Sequence, residues 1–358
     1  MSNTFSGDSA RADALPIFER FPALARLPRA KLGIFPSPVS RITAFRDHPD
    51  LWVKRDDLDA QGYGGNKVRA LEFLLGEVRP GDTLLTMGGE GSTHVLVTAA
   101  MGNRLGARTV AIRWPHDMNP AALHTSRRAA ALCSRLRTTR GPLSAFVVSL
   151  FARRAKGVRW IPPGGTNALG MLGHVNAGLE LADQVARGEL PLPSCVVVPF
   201  GTGGTAAGLS LGFAIAGLPT RVVAARVVPR MVANRRRLLA LTRSCAALIA
   251  RLDHAPVPSV DPSRIHVVND VYGGAYGRPL PAASSAAANL AASSGILLDD
   301  SYSAKAFLAA LHTPLDGPTL FWLTFAGGQA AVNCEGSEGR VQGSEATSAA
   351  GSHRSGSS

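Results

Sequence analysis

Cysteine is scarce in this chain, and its few cysteines form no metal-binding or redox motif. Cys133, Cys195, Cys245 and Cys334 lie far apart among the 358 residues. Zinc ribbons and dithiol redox sites use cysteines separated by two residues, so the absence of any C-x-x-C pair excludes both classes. Because isolated cysteines persist as thiols in a reducing compartment, we expect a cytoplasmic protein.

Long apolar runs and a regular glycine repeat are also missing. A membrane-spanning helix needs about 18 consecutive apolar residues, and no such run occurs. The first residues, MSNTFSGDSARADALP, contain no apolar core of a secretory signal. Hydrophobic residues make up 46% of the chain, which is ordinary for a globular protein with a sizeable core. Residues 335–358 are rich in Gly, Ser and Ala, so we expect a disordered tail there.

Acidic residues are nearly absent from two basic stretches, and the whole chain has a net charge of +13. Residues 104–159 contain 12 Lys or Arg and one acid, and residues 221–251 contain 8 and none. Such stretches could bind nucleic acid. Aromatic residues are only 6% of the chain and hardly occur among these arginines, so bases would find no stacking platform. With 33 Arg against 5 Lys, a composition bias is the better explanation. We expect neither nucleic acid nor a membrane as a partner.

Short apolar runs alternate with helical patterns along most of the chain. The runs predict strands in residues 51–57, 82–89, 108–114, 194–204, 221–228 and 319–328, several of which enter glycine turns. Spacings of three and four between apolar residues predict helices at 67–79, 93–106, 167–186, 205–217 and 303–312. This alternation is typical of parallel sheets covered on both faces, which bind ligands at the carboxyl ends of their strands.

A lysine marks the first candidate site, in the sequence Gly64-Gly65-Asn66-Lys67. Lys67 falls where a glycine turn becomes a helix, and lysine is rare in this chain. A lysine desolvated at such a turn could lose its charge and form a Schiff base with a carbonyl compound. The alternative is a solvated lysine in the first helical turn.

A glycine loop follows a hydrophobic strand in VVVPFGTGGTAAG, residues 196–208. Successive N–H groups at a helix N-terminus form a phosphate cup, and glycines let the backbone approach the phosphate. No Asp or Glu occurs between Glu189 and Asp253, which disfavours NAD, whereas NADP bound through Arg226 stays open. A tight strand–helix turn without a ligand is the remaining alternative.

Hydroxyl groups cluster at two further places. Ser92, Thr93 and His94 follow the turn MGGEG and could bind a carboxylate, or Ser92 could simply cap the helix. Tyr276 and Tyr302 lie in the polar segments VYGGAYGRP and LDDSYSAKA, and the alternative for each is a buried core tyrosine.

In chain order, these segments resemble the pyridoxal-phosphate enzymes of the D-cysteine desulfhydrase and 1-aminocyclopropane-1-carboxylate deaminase family. The matching motifs, between about residues 33 and 328, are PSPVSR, LWVKRDD, GGNKVRALEFLL, the GG-x-x-S-x-H turn, IPPGGTNALGMLGHVNAGLEL, GTGGTAAGL, YGGAYG and LDDSYSAKA. Each motif is weak alone, but the ordered set is specific. The resemblance implies an α/β fold with two open, twisted, parallel-type sheets flanked by helices, the tryptophan-synthase-β-like fold (fold type II).

The resemblance also implies roles for individual residues. Lys67, beside Asn66, would hold pyridoxal 5'-phosphate as an imine, and Ser92, Tyr276 and Tyr302 would lie near the substrate as catalytic groups. The remaining cofactor-binding residues would be the phosphate cup, the position after the serine and the partner of the pyridine nitrogen, namely Gly201, Thr202, Gly203, Gly204, Thr205, Thr93 and Thr324. No metal is implied.

Three positions depart from the family pattern. Thr93 stands where the family usually has Asn, and two residues separate Thr324 from Gly327 where the family has His-Thr-Gly-Gly. Ser303 stands where the deaminases have a Glu facing the pyridine nitrogen. A hydroxyl leaves that nitrogen less protonated, so the ring is a weaker electron sink. We therefore expect elimination of a good leaving group to be favoured over opening of a cyclopropane.

These implications lead to one expected function and three alternatives. We expect a lyase that acts on a small amino acid such as D-cysteine and releases pyruvate, ammonia and sulfide. The alternatives are 1-aminocyclopropane-1-carboxylate deaminase, an amino-acid racemase, and a pyridoxal-phosphate-binding protein with degraded catalysis. We expect a homodimer, with a partly ordered lead-in at 1–30, a large cofactor-binding domain at 31–67 and 159–334, and a small domain at 68–158 inserted into it.

Overall fold

The computed structural model describes residues 15–60, 62–314 and 316–326. The predicted disordered tail at 335–358 lies outside the described residues. The helices are α1 Pro16–Arg20, α2 Lys67–Leu74, α3 Thr93–Arg104, α4 Pro120–Leu132, α5 Pro142–Ala152, α6 Ala168–Ala186, α7 Gly204–Ala216, α8 Arg235–Asp253, α9 Pro281–Ser294 and α10 Ser303–Leu311. The strands are β1 Val39–Arg41, β2 Leu51–Arg55, β3 Thr83–Gly89, β4 Arg108–Trp114, β5 Arg135–Thr138, β6 Val158–Trp160, β7 Cys195–Phe200, β8 Arg221–Arg226, β9 Ile265–Val268 and β10 Thr319–Leu323.

The strands form two sheets, which confirms the predicted fold class. The larger sheet has the order β1-β2-β10-β7-β8-β9, and β1 is antiparallel to β2 while the other pairs are parallel. The smaller sheet has the order β5-β4-β3-β6 and is entirely parallel. Strands β7 and β10 are neighbours with Val196 opposite Leu320, so the segments that follow them emerge at the same edge.

Apolar strands explain this arrangement. All five residues of β10 are buried, and Val196, Val197 and Val198 of β7 are fully buried. A strand that is apolar at successive positions must be covered on both faces, which is the condition for a central strand of a parallel sheet. Within the predicted lead-in at 1–30, the apolar Ile17 and Leu24 are fully buried in the core beside the larger sheet.

Predicted and observed elements agree best where apolar periodicity is strong. Strand 108–114 has the predicted bounds, and helix α6 begins one residue after its predicted start. The predicted helix 67–79 is too long, because α2 ends at Leu74. The chain then passes so close to Pro28 that a Cβ on Gly76 would lie 2.0 Å from its carbonyl oxygen. The assignment of 31–67 with 159–334 and of 68–158 to separate domains stays a prediction.

A buried ionic cluster joins β2, α2 and α6 on the side of α2 away from Lys67. Arg69 donates to Asp56 at 2.8 and 2.9 Å and to Glu180 at 2.9 and 3.0 Å. Lys54 bonds Glu180 at 2.5 Å. Burial alone would raise the pKa of Asp56 and Glu180, but the charge and hydrogen bonds of Arg69, together with the charge of Lys54, outweigh it and hold both below their usual range. We call these four side chains the ionic cluster.

Candidate active site

Lys67 is the first residue of α2, at the end of the glycine turn. Its side chain is partly accessible, yet burial of the amine lowers the pKa of Lys67 to about 8. An ordinary lysine titrates near 10.5, so this amine gives up its proton far more easily. This desolvation favours the prediction of a reactive amine over the alternative of a solvated lysine in the first helical turn.

Two neutral imidazoles lie within electrostatic reach of this amine. Burial, together with the charge of Lys67, lowers the pKa of His94 to about 3. The same two causes, with Arg69, lower the pKa of His174 well below its usual value. Both rings are uncharged at neutral pH, so neither adds a second positive charge beside Lys67.

The glycine loop follows β7 and enters α7. Gly203 precedes the first helical residue with a φ of +98°, in the left-handed region that favours glycine. Among the described residues, the backbone N–H groups of Thr202, Gly203 and Gly204 donate no hydrogen bond to the protein. Free N–H groups at the start of a helix, with its dipole behind them, are suited to bind an anion.

Asn66 joins the lysine turn to this loop. Its amide Nδ2 donates to Thr205 Oγ1 at 2.7 Å, and its backbone N–H donates to the carbonyl oxygen of Thr324 at 2.9 Å. The three segments that the sequence analysis combined, after β2, β7 and β10, are thus in direct contact. A reactive amine and an anion cradle on adjacent turns could hold a cofactor that carries both a carbonyl and a phosphate.

Ser92 and the two tyrosines lie at the end of β3. Ser92 takes the N-cap position of α3, but its side chain makes no capping hydrogen bond, so its hydroxyl remains available for other partners. A Cβ on Gly88 would lie 2.7 Å from Ser92 Oγ, and one on Gly89 would lie 3.1 Å from Tyr276 Cε1. Glycines at both positions therefore bring the serine and Tyr276 close to the strand end.

The tyrosines form a pair. The hydroxyls of Tyr276 and Tyr302 are hydrogen-bonded to each other. Tyr302 also lies near the glycine loop, since a Cβ on Gly201 would lie 3.8 Å from Tyr302 Cε1. Burial raises the pKa of Tyr276 to about 12 and that of Tyr302 well above its usual value. Both phenols are half-buried and stay protonated at neutral pH, so they serve as hydrogen-bond donors.

The positions that depart from the family pattern have defined surroundings. Thr93 is the first residue of α3, and Thr324 is buried directly after β10. Ser303 is fully buried, and its hydroxyl donates to the carbonyl oxygen of Phe325 at 2.7 Å. Its backbone N–H donates to Asp299, whose carboxylate organises the start of α10.

Sequence reasoning missed several neighbours of the site. Thr166 contacts Thr202 through their hydroxyl oxygens at 2.6 Å, and His174 contacts Thr205 at 3.5 Å. His116 packs on Tyr276. Thr166 and His174 lie within a motif that was matched, but His116 follows β4 without any motif, so only the fold reveals it.

The described residues contain no group of three or more His, Cys, Asp or Glu placed to hold a metal ion. They also contain no helix long and apolar enough to cross a membrane.

Comparisons with known proteins agree with this geometry. Residues 30–323 match the family model described as "Pyridoxal-phosphate dependent enzyme". The chain is 36% identical over 314 residues to nocardicin C-9' epimerase of Nocardia uniformis subsp. tsuyamanensis, covering 84% of this chain and 93% of that protein. It is 33% identical over 322 residues to D-cysteine desulfhydrase of Salmonella paratyphi A, covering 83% and 94%.

Solved structures share the fold. A crystal structure described as an ACC deaminase homologue superposes with a TM-score of 0.72 at 26% identity, covering 86% of this chain and 94% of that one. Threonine deaminase isoform 2 of Solanum lycopersicum superposes with a TM-score of 0.57 at 15% identity, covering 94% and 90%. The second likeness concerns the fold alone.

Proposed function

Because the chain belongs to the family of pyridoxal-phosphate dependent enzymes, we propose that it catalyses β-elimination from a small amino acid of the D-cysteine type. The products would be pyruvate, ammonia and sulfide. The observation that carries this choice of reaction is Ser303, a buried hydroxyl already bonded to Phe325, at the position where the related deaminases have a glutamate.

The residues present fit the cofactor. Lys67 supplies an amine that loses its proton near neutral pH, and the loop 201–205 supplies free N–H groups for a phosphate. The contact between Asn66 and Thr205 holds these two elements together. When bound, pyridoxal phosphate withdraws electrons from the Cα of an attached amino acid, which makes a bond to that carbon easier to break.

The chain's own side chains would transfer the proton and orient the substrate. Lys67 would hold the cofactor, and its free amine would be able to accept and return a proton near neutral pH. Tyr276 and Tyr302 keep their protons, and one of them donates to the other, so the pair has one hydroxyl proton left to orient a substrate carboxylate or leaving group. Ser92 offers a third hydroxyl at the start of α3, where the helix dipole favours a negative charge.

A racemase is the second candidate, favoured by the similarity to nocardicin C-9' epimerase. Elimination and racemisation both begin with removal of the Cα proton. They differ in whether the group on Cβ then leaves or the proton returns from the other side.

The test is a substrate comparison with the purified protein loaded with pyridoxal phosphate. D-cysteine, L-cysteine, β-chloro-D-alanine and 1-aminocyclopropane-1-carboxylate are supplied separately, and oxo-acid release and the chirality of residual amino acid are measured. We expect kcat/KM for D-cysteine or β-chloro-D-alanine to exceed that for the cyclopropane compound by about tenfold or more, because the weaker electron sink penalises ring opening most.

The Ser303→Glu variant should shift this ratio toward the cyclopropane compound, whereas Ser293→Glu, at an exposed position on α9, should leave it unchanged. A wild-type preference for the cyclopropane compound would favour a deaminase. Loss of chirality without oxo-acid release would favour a racemase, and a visible cofactor band without either reaction would indicate a binding protein.

We also propose that the protein works as a cytoplasmic homodimer that binds neither nucleic acid nor a membrane surface. The free thiols of Cys133, Cys195 and Cys245 support a reducing compartment. Sedimentation equilibrium of the purified chain, with and without a DNA duplex, measures both the oligomeric state and nucleic-acid binding.

A further inference from the structure

The segment 115–119, between β4 of the smaller sheet and α4, touches the tyrosine pair. We call it the strap. Asn119 is buried, and its Oδ1 accepts from the backbone of Ala122 at 2.8 Å, which caps α4. Its Nδ2 donates to the carbonyl oxygen of Gly277 at 3.0 Å and to Ser301 Oγ at 2.9 Å. These bonds fix the strap against the two segments that carry Tyr276 and Tyr302.

His116, also in the strap, faces backbone carbonyl oxygens with both ring nitrogens. Nδ1 lies 2.7 Å from the oxygen of Asp117, and Nε2 lies 2.5 Å from the oxygen of Glu90. A carbonyl oxygen can only accept a hydrogen bond, so each of these contacts is a hydrogen bond only where the ring nitrogen carries a proton. A neutral imidazole has one N–H, and only the imidazolium has two.

The ring of His116 packs edge to face on Tyr276, with centroids 4.6 Å apart and planes at 68°. The glycines around the pair leave it little freedom: a Cβ on Gly89 would lie 2.8 Å from His116 Cδ2, and one on Gly277 would lie 3.1 Å from His116 Cε1.

We propose that His116 is held as a doubly protonated imidazolium and is a positioning residue, which fixes Tyr276 and, through its hydroxyl, Tyr302. The two residues whose backbone oxygens face the ring have carboxylates that pair with arginines: Glu90 with Arg113 at 3.2 Å and Asp117 with Arg278 at 3.5 Å. The backbone carbonyls therefore hold the charge. Because both protons are donated to the backbone, His116 does not itself exchange a proton with substrate.

The first test reads the charge directly. Nitrogen NMR of the holoenzyme labelled in its histidines should show two protonated ring nitrogens for His116, with its signal assigned by its loss in His116→Phe. One unprotonated ring nitrogen would overturn the proposal. This measurement needs no substrate, so it stands or falls separately from the proposed elimination.

The second test measures how substitution of His116 changes kcat/KM, and it rests on the proposed function. His116→Phe keeps a ring against Tyr276 but loses both donors and the charge. We expect kcat/KM for the best substrate to fall about 10- to 100-fold, because misplaced orienting groups are costly, while the cofactor band and the unfolding midpoint stay unchanged. His116→Gln, which keeps one donor, should fall between Phe and wild type.

His124→Phe, at an exposed position on α4, is the matched control and should behave like wild type. Activity of His116→Phe within twofold of wild type would overturn the positioning role, as would an equal loss in the control. If the wild-type enzyme releases no oxo acid from any substrate, the proposed function fails, and the NMR result alone decides the state of His116.

Discussion

The lowered pKa of Lys67 results from desolvation of its amine. Lys156, in contrast, is exposed on the basic stretch that follows α5. Two lysines of one chain thus have very different surroundings, and only the first lies beside an anion cradle. Residue type alone does not distinguish Lys67 from Lys156, whereas the turn Gly64-Gly65-Asn66, which precedes only Lys67, does.

Substituting Lys67 by Ala should abolish covalent attachment of the cofactor, because no other amine takes its place at the start of α2. The visible absorbance of bound pyridoxal phosphate should disappear from the purified variant and remain in Lys156→Ala. A normal band in Lys67→Ala would show that the attachment site lies elsewhere.

The lowered pKa of Lys67 also predicts how cofactor capture depends on pH. Only the neutral amine can attack a carbonyl, so the rate of attachment to the cofactor-free protein should rise with pH and level off above about 8. With an unperturbed lysine, the rise would continue to about 10.5. Stopped-flow absorbance across this pH range distinguishes the two, and a continued rise above pH 9 would contradict desolvation of the amine.

At the scale of elements, the ionic cluster anchors α2 through hydrogen bonds from Arg69. Arg69 lies two residues after Lys67 and bonds carboxylates of the segment after β2 and of α6. The cluster therefore fixes the position and rotation of the helix whose first residue is Lys67. Trp322 of β10 adds a bond from its indole N–H to Asp56 at 2.7 Å, which ties the cluster to the centre of the larger sheet.

Substituting Arg69 by Met should destabilise the fold by about 3–5 kcal/mol, because the buried carboxylate of Asp56 would lose its ion-pair partner and Glu180 would keep only Lys54. The free energy of unfolding in urea measures this. Arg153→Met, at an exposed position just after α5, should change it by less than about 0.5 kcal/mol. A similar, small change in both variants would show that the cluster adds little to stability.

The elements differ in how much of them the sequence reveals. Strands β4 and β7 contain successive apolar positions, so β4 was predicted with its observed bounds and the start of β7 to within one residue, whereas the predicted run for β7 extends into the glycine turn. Helix α8 was missed although its buried residues Leu238, Cys245 and Ile249 have a helical spacing, because five arginines interrupt the segment and apolar residues also lie between the buried ones. Helix α9 was missed because its Ala- and Ser-rich sequence has little periodicity.

The residues of the site could also be predicted from the sequence only in part. The lysine turn, the glycine loop and the tyrosines follow predicted strands, and parallel topology brings strand ends to one edge. Partners set by tertiary contact were not predictable: Thr324 lies beside Asn66 because β10 enters between β2 and β7. His116 reaches Tyr276 only through the packing of the strap on segments more than a hundred residues later in the chain.

At the scale of the whole molecule, the smaller sheet is built from one continuous stretch, whereas the larger sheet is not. All four strands of the smaller sheet fall between residues 83 and 160. In the larger sheet, β10 lies between β2 and β7 and pairs with both, with Val53 opposite Phe321. The centre of the larger sheet is thus completed by β10, the last strand among the described residues.

This strand order has a consequence for synthesis on the ribosome. As the chain emerges, the smaller sheet has all its strands long before β10 appears, while β2 and β7 present unpaired, apolar edges to the cell. Such edges are templates for association with other chains. The nascent protein therefore passes through a long interval in which its larger sheet is open, and the risk of misassembly ends only when β10 pairs with β2 and β7.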